Sequence, residues 1–424
     1  MRVLIVNTSE RKGGAAMAAN RLMDALNNNG VKARMLVCEK ETDNISVAAA
    51  GGRLQRQWCF LWERLTIFVR LRLSRQRLFE IDIANAGIDI TKTREFREAD
   101  VIHLHWINQG FVSLGGIRKI IMSGKPIVWT MHDFWPATAL CHYPRNCQAF
   151  MNRCSTCPYL PSGAANTAAV DRLWRRKVSI WSESNITFVG CSRWLTDKAR
   201  RSGLLKGKVV TTIPNAIDTK VYKPSDKAEA RRRLSLPQDR RLILFVSCRA
   251  TDKRKGMDYF CDGCDKLLAS HPHMSTDTGI VVLGGHAEEY VGRVPFDIYP
   301  LGYVNDQQRI VDVYNAADVY VTPSLEDNLP NTIMEAMACG VPCVGFKTGG
   351  IPEMIDHKKT GYVAEYMNAD DLAAGMAWVL NEAPAADLAA AAVHKVAARY
   401  SQQNVAMRYI EVYNQACAMK HYRL

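Results

Sequence analysis

Nine short apolar runs, each separated from the next by longer amphipathic stretches, constrain this chain more than any other feature. They are Val3–Val6, Val101–Leu104, Ile127–Met131, Thr187–Cys191 and Val209–Ile213, then Leu242–Ser247, Ile280–Gly284, Val319–Thr322 and Val341–Phe346. Strands this apolar are buried on both faces, and buried strands separated by helices build parallel, doubly wound α/β sheets. The series breaks at Ile213–Pro224 (IPNAIDTKVYKP), and a charged helix candidate, Asp226–Leu234, follows. A chain of 424 residues exceeds what one core usually fills, so two domains are expected, 1–213 and 225–400. A last helix over 401–424 follows from the helical spacing of Val405, Tyr409 and Tyr413.

Composition narrows the function. At 48% hydrophobic and 23% charged residues the chain has ordinary material for two cores. No run approaches the ~20 apolar residues of a membrane span. The opening MRVLIVNTSERKGG enters a strand at once and lacks a signal-peptide pattern. With no export signal, thirteen cysteines, an odd number, read as reduced thiols rather than a disulfide framework. A cytoplasmic protein is expected. The net charge of +13 favours polyanionic partners. No nucleic-acid motif accompanies it, so phosphorylated substrates and acidic membrane surfaces lead.

The richest chemistry lies in Pro323–Gly340, PSLEDNLPNTIMEAMACG. Asp327 and Glu335 stand eight positions apart, across a loop entering a helix. Ile333, Met334 and Met337 have helical spacing, and Gly340 with Pro342 gives the stop. Both carboxylates can face one ligand at the helix N-terminus, whose free N–H groups and dipole suit a phosphate. That is a cradle for a nucleotide sugar.

The segment resembles the E-x7-E signature of glycosyltransferase family 4, S-x-x-E-G-F-G-x-x-x-x-E-A-M-A-x-G. Asp327 stands where the family has its first Glu, and Asn328-Leu329-Pro330 replaces Gly-Phe-Gly. Pro330 has no N–H to offer a phosphate, while Asn331 and Thr332 keep theirs. The resemblance implies that Glu335 bonds the ribose hydroxyls and Asp327 reaches the transferred sugar. IPNAID is similar to the family's hinge I-P-N-G-x-D. The resemblance thereby implies the GT-B fold, two Rossmann-like domains facing across a cleft, with the last helix crossing back to the first.

Arg249 and Lys255 follow the strand LILFVS, in SCRATDKRKGMD. Strand C-termini are where open α/β sheets bind ligands, and two cations can converge on a diphosphate whose charge grows as a glycosidic bond breaks. The stretch resembles the family's R-x5-K-G-x-D, which assigns both to the pyrophosphate. Lys253 and Arg254 read as solvated extra cations. Gly13-Gly14 after the first strand lets backbone approach a phosphate or sugar, and resembles the family's donor-pocket loop. His132, in VWTMHDFWP, resembles the family's strand-end histidine at the donor sugar or acceptor. His105 is a second candidate on the acceptor side, and His103 reads as structural. Asp133 would orient His132 or bond the acceptor. Ser192 suits a helix N-cap. Gly349-Gly350 shapes a turn into the next helix. Gly302-Tyr303-Val304 resembles the loop that packs on the nucleobase, which makes Val304 a donor contact.

Two features lie outside this set. Cys141, Cys147, Cys154 and Cys157, ending in C-x2-C, suit one tetrahedral zinc of structural type, with His142 as a fifth candidate ligand; free thiols are the other reading. Arg53–Glu80 carries seven Arg against two Glu with Trp58, Phe60, Trp62 and Phe68 interleaved. It reads either as an anionic-membrane-surface element or as a core helix whose arginines stay in water.

The expectation is a retaining, metal-independent sugar transfer from a nucleoside diphosphate sugar to a hydroxyl of a glycan or lipid-linked acceptor. A bacterial surface polysaccharide pathway is the expected setting, with the protein cytoplasmic or peripheral at the inner membrane face. A nucleotide-sugar epimerase or hydrolase and a non-catalytic nucleotide-sugar or glycan binder are the alternatives.

Overall fold

The computed structural model of the protein describes residues Met1–His421. The chain divides into two compact units, one of Met1–Pro214 joined by the C-terminal segment from Val405, the other Asn215–Asn404.

The first unit is built on seven parallel strands: β1 (Arg2–Ser9), β2 (Lys32–Glu39), β3 (Val47–Ala49), β4 (Val101–Leu104), β5 (Ile127–Met131), β6 (Thr187–Gly190) and β7 (Val210–Thr212). Their order is β3-β2-β1-β4-β5-β6-β7. The second unit has six parallel strands: β8 (Arg241–Arg249), β9 (Thr278–Gly285), β10 (Asp297–Gly302), β11 (Val319–Thr322), β12 (Cys343–Phe346) and β13 (Gly361–Ala364). Their order is β10-β9-β8-β11-β12-β13. Both sheets are doubly wound, as the alternation of apolar runs predicts. All nine expected strands form. Of the four that the runs do not show, β3 is three residues long and β13 four, both at sheet edges. The edge strand β10 contains Pro300, which a central strand could not hold. β2 begins KAR, alternating exposed and buried residues before its apolar run.

Each unit has its own core. Trp129 packs against Trp181, Phe188 and Trp135 at centroid distances of 5.6, 6.0 and 6.1 Å. In the second unit Phe245 meets Phe260 at 5.3 Å above Cys264, Leu267 and Met376. The helix Gln402–His421 completes the first core, burying Val405, Tyr409 and Tyr413.

Parallel strands place all their C-termini on one sheet edge. Where the order reverses, successive connections leave on opposite faces and open a crevice at that edge. The reversals fall between β1 and β4 in one unit and between β8 and β11 in the other.

Candidate functional site

In the second unit the residues singled out from sequence gather at that reversal. β8 ends at Arg249, whose side chain is exposed, and the next turn brings in Lys255. β11 ends at Thr322 and is followed by the loop carrying Asp327. Lys255 Nζ donates to Asp327 Oδ2 at 2.5 Å. Arg254 Nη1 lies 3.6 Å from the same carboxylate and donates to the Glu326 carbonyl at 2.9 Å. Arg254 is therefore not a solvated extra cation; it fastens the loop before Asp327. Burial alone would raise the Asp327 pKa, but the charges of Lys255 and Arg254 hold it below the ordinary carboxylate value.

Two glycines make this approach feasible. Gly256 has φ +75°, and a Cβ there would stand 1.9 Å from the Pro323 carbonyl oxygen. Gly349, at φ +58°, would place a Cβ 1.7 Å from the Asp327 carbonyl oxygen, which accepts from Gly350 N at 3.1 Å. The Gly-Gly pair thus shapes a turn, as expected, and also props the Asp327 backbone.

Pro330 ends the loop and caps the helix Asn331–Ala338. With no acidic residue in its first turn, the positive end of this helix dipole is not neutralised from its own sequence. Asn331 Oδ1 accepts from Asn215 Nδ2 at 2.9 Å, Thr332 Oγ1 from Tyr320 Oη at 2.7 Å, and Glu335 Oε2 from Tyr314 Oη at 2.7 Å. Sequence reasoning missed both tyrosines. Their spacing gives no sign of it, since one lies on a helix and the other in β11. Val304 is half-buried, two residues past Gly302, in the loop leading to the helix Gln307–Ala316.

In the first unit, Gly13 and Gly14 end the connection from β1 and open the helix Gly14–Asn28, Gly13 at φ +88°. His105 follows β4 and His132 follows β5. His105 Nδ1 and His132 Nε2 are 2.9 Å apart, and Cys191 Sγ lies 3.6 Å from His132 Nδ1. His105 Nε2 is buried without a hydrogen-bond partner. Burial pushes His132 down to about 4 and His105 well below its ordinary value, so both rings are neutral at neutral pH. His103 is structural, as expected: Nδ1 meets Tyr413 Oη and Nε2 meets Thr130 Oγ1, both at 2.7 Å.

Burial holds His103 near 3, so its pH effect has a definite sign. Below about 6.5 the unfolded chain protonates this imidazole while the folded chain does not, so stability falls as pH falls. His103→Gln is expected to remove from the acid limb of the stability curve a slope of up to about 1.4 kcal/mol per pH unit between roughly pH 6.5 and 4. Denaturant melts at stepped pH measure this; parallel curves for variant and wild type would reject it.

Asp133 neither orients His132 nor faces outward. Its Oδ1 accepts from Trp135 N at 2.8 Å, and its Oδ2 from Trp106 Nε1 at 2.8 Å and His142 Nδ1 at 2.7 Å. His142 Nε2 meets Asp82 Oδ2 at 2.6 Å. Burial opposes the charge on His142, but the two carboxylates outweigh it and lift the pKa to about 10. His142 is thus a buried cation bridging two carboxylates, not a zinc ligand. Beneath this loop the fully buried Lys177 donates to the Trp135 and Thr138 carbonyls at 2.6 and 2.9 Å. Ser192 caps its helix as expected, accepting from Leu195 N at 3.0 Å.

Cys141, Cys147, Cys154 and Cys157 line one small apolar pocket with Phe150 and Tyr159. Burial, reinforced by the neighbouring thiols, raises Cys141, Cys154 and Cys157, with Cys154 near 11. Among the described residues no group of three or more His, Cys, Asp or Glu side chains is arranged to hold a metal ion.

Comparison with known proteins follows the same division. The family described as "Glycosyltransferase Family 4" matches residues 12–221, and that described as "Glycosyl transferases group 1" matches 240–382. The chain is similar to the D-inositol 3-phosphate glycosyltransferase of Thermobispora bispora, 26% identical over 223 residues, 50% of this chain and 52% of that protein. It spans about half the length of the curated relatives it matches. Among solved structures it is similar to sucrose-phosphate synthase from Thermosynechococcus elongatus (TM-score 0.66, 16% identity, 99% of each chain covered). It is also similar to Anabaena HepE in complex with UDP and glucose (TM-score 0.64, 16% identity, 98% of this chain and 100% of that one). At these identities the likeness concerns the fold.

Proposed function

The chain belongs to glycosyltransferase family 4, with the two-Rossmann-domain GT-B fold, and from that premise we propose that it transfers a sugar from a nucleoside diphosphate to an acceptor hydroxyl with retention of anomeric configuration. The observation that carries the proposal is the group at the β8–β11 reversal, where Lys255, Asp327 and the start of the helix Asn331–Ala338 meet one sheet edge. In this reading Lys255 and Arg249 take the diphosphate, with the N–H groups of Asn331 and Thr332 beside them. Glu335 bonds the ribose and Val304 packs on the base. As the bond from the sugar to the diphosphate breaks, charge accumulates where these cations and the helix dipole already point. A bound diphosphate would compete with Asp327 for Lys255, freeing the carboxylate for the sugar.

The first unit is assigned to the acceptor. Neutral His105, held through Nδ1 by His132, offers its unpartnered Nε2 to a hydroxyl without a competing cation. A glycan or lipid-linked acceptor in surface polysaccharide assembly remains the proposed setting. The name of the inositol phosphate relative adds a phosphorylated polyol to the acceptors to be tried. HepE, solved with UDP and glucose, puts UDP-glucose first among donors.

A binder that does not turn over has one observation in its favour: the shorter Asp327 stands at the family's Glu position and is ion-paired to Lys255. Glu335→Gln separates the readings, because it keeps an acceptor for Tyr314 while removing the charge. Thermal shift against UDP, GDP, ADP, TDP and CDP and their sugar conjugates identifies the donor base. Sugar transfer or donor hydrolysis is then followed with that donor. We expect Glu335→Gln to lower transfer by roughly 10²-fold or more with the melting temperature within a few degrees of wild type. No shift with any nucleotide would sink the transferase reading; a shift without turnover would favour the binder.

A further inference from the structure

The helix Arg53–Arg70 is inverted relative to a normal surface helix. Its inward face holds Cys59, Glu63, Arg64 and Ile67, two of the four being charged. Glu63 accepts from the N–H groups of Ile83 and Ala84 at 3.1 and 2.6 Å. Arg64 pairs with Asp82 and donates to the Leu78 carbonyl at 2.6 Å. The helix also rests closely on Gly110, where a Cβ would stand 2.6 Å from Cys59.

The outward face is apolar. Leu54, Trp58, Leu61, Trp62, Leu65 and Val69 are between 47% and 82% exposed. At about 100° per residue they fall within roughly a third of the helix circumference. Trp58 and Trp62 stack at 6.0 Å. Leu73 and Phe79, exposed at 65% and 57%, extend the patch beyond the helix. A water-facing surface helix buries its apolar stripe and exposes its charges; this one does the opposite, and a contiguous exposed patch of this kind marks an interaction surface.

Charge selects the partner. Arg53 and Arg70 flank the patch and Arg72 and Arg75 are exposed just beyond the helix, whereas Arg56 lies on the opposite side near Cys38 and Arg77 is held on Pro158 and Tyr159; Glu63, the one carboxylate on the helix, is buried. No described helix is long and apolar enough to cross a membrane. Tryptophans and leucines at the acyl boundary with arginines at the phosphates describe an element lying on a bilayer. We propose that the helix Arg53–Arg70 docks flat on an anionic lipid bilayer, its apolar face in the headgroup–acyl boundary and its bordering arginines on lipid phosphates. The inward ion pairs, with Ile67 in the core, hold the helix from behind and leave its apolar stripe exposed. This inference does not rest on the transferase reading.

Co-sedimentation of the full chain with phosphatidylcholine vesicles, with and without phosphatidylglycerol, tests it. Wild type is expected to bind the anionic vesicles at least about tenfold more tightly, and less so in high salt. Trp58→Gln/Trp62→Gln/Leu65→Gln should lose at least about tenfold with an unchanged melting temperature. Should that variant fold poorly, Arg53→Gln/Arg75→Gln should weaken anionic-vesicle binding several-fold while leaving phosphatidylcholine binding as it was. Undiminished pelleting of the folded triple variant, or of the arginine variant in its place, would overturn the proposal. So would no pelleting of wild type, or a wild-type dimer on size exclusion that the apolar substitutions dissolve.

Discussion

Lys255→Met is expected to cut sugar transfer by roughly 10²–10³-fold and to abolish the thermal shift given by the free nucleoside diphosphate. The same substitution leaves the buried Asp327 with the Asn328 N–H and the longer Arg254 contact, 3.6 Å away, so stability should also fall, by about 2–3 kcal/mol. Loss of activity alone would therefore not identify the role of Lys255. Adding Asp327→Asn removes the stranded charge and should restore most of the stability. If Lys255 acts on the diphosphate, the double variant still lacks both the shift and the transfer. If Lys255 serves only to neutralise Asp327, the double variant recovers diphosphate binding, and the assignment of Lys255 to the leaving group falls.

The second large effect is expected at a residue with no side chain. In Gly349→Ala the new methyl would lie 1.7 Å from the Asp327 carbonyl oxygen, on a backbone at φ +58°. Left-handed strain and overpacking together should cost about 2–4 kcal/mol, lowering the melting temperature of the second unit by roughly 5–15 °C. Relief must move backbone, since the obstacle is a carbonyl and not a flexible side-chain tip. Transfer should fall more than stability explains, because the displaced strand of loop carries Asp327. A Gly349→Ala protein with wild-type melting and turnover would show that the turn relaxes without disturbing that loop.

The expected strands could be found because parallel sheets bury both faces, which writes a strand as an uninterrupted apolar run. β3, β10 and β13 escape because edge strands are short or half-exposed, and β10 tolerates Pro300 for that reason. The chemistry-bearing residues of the second unit were legible for a related reason. Arg249, Lys255 and Asp327 follow strands that adjoin where the order reverses, and the C-terminal end of each strand can be read from its run. What could not be read was what holds them. Tyr314 behind Glu335, Tyr320 behind Thr332 and Gly349 beneath Asp327 each come from a different element. Asp133 and His142 were misjudged because a carboxylate and a histidine look equally functional in sequence whether they face a substrate or, as here, each other.

The two phenols that close over His103 and Thr130 belong to the last twenty described residues of the chain. The strands carrying His103 and Thr130 emerge from the ribosome early, yet the tyrosines that satisfy and cover them arrive after the entire second unit has been made. During synthesis the first sheet must therefore wait, with one side of its histidine cluster wet, while Asn215–Asn404 has all it needs to fold on its own. The order of maturation is then the reverse of the order of synthesis, and the first unit is sealed only after the second has been made.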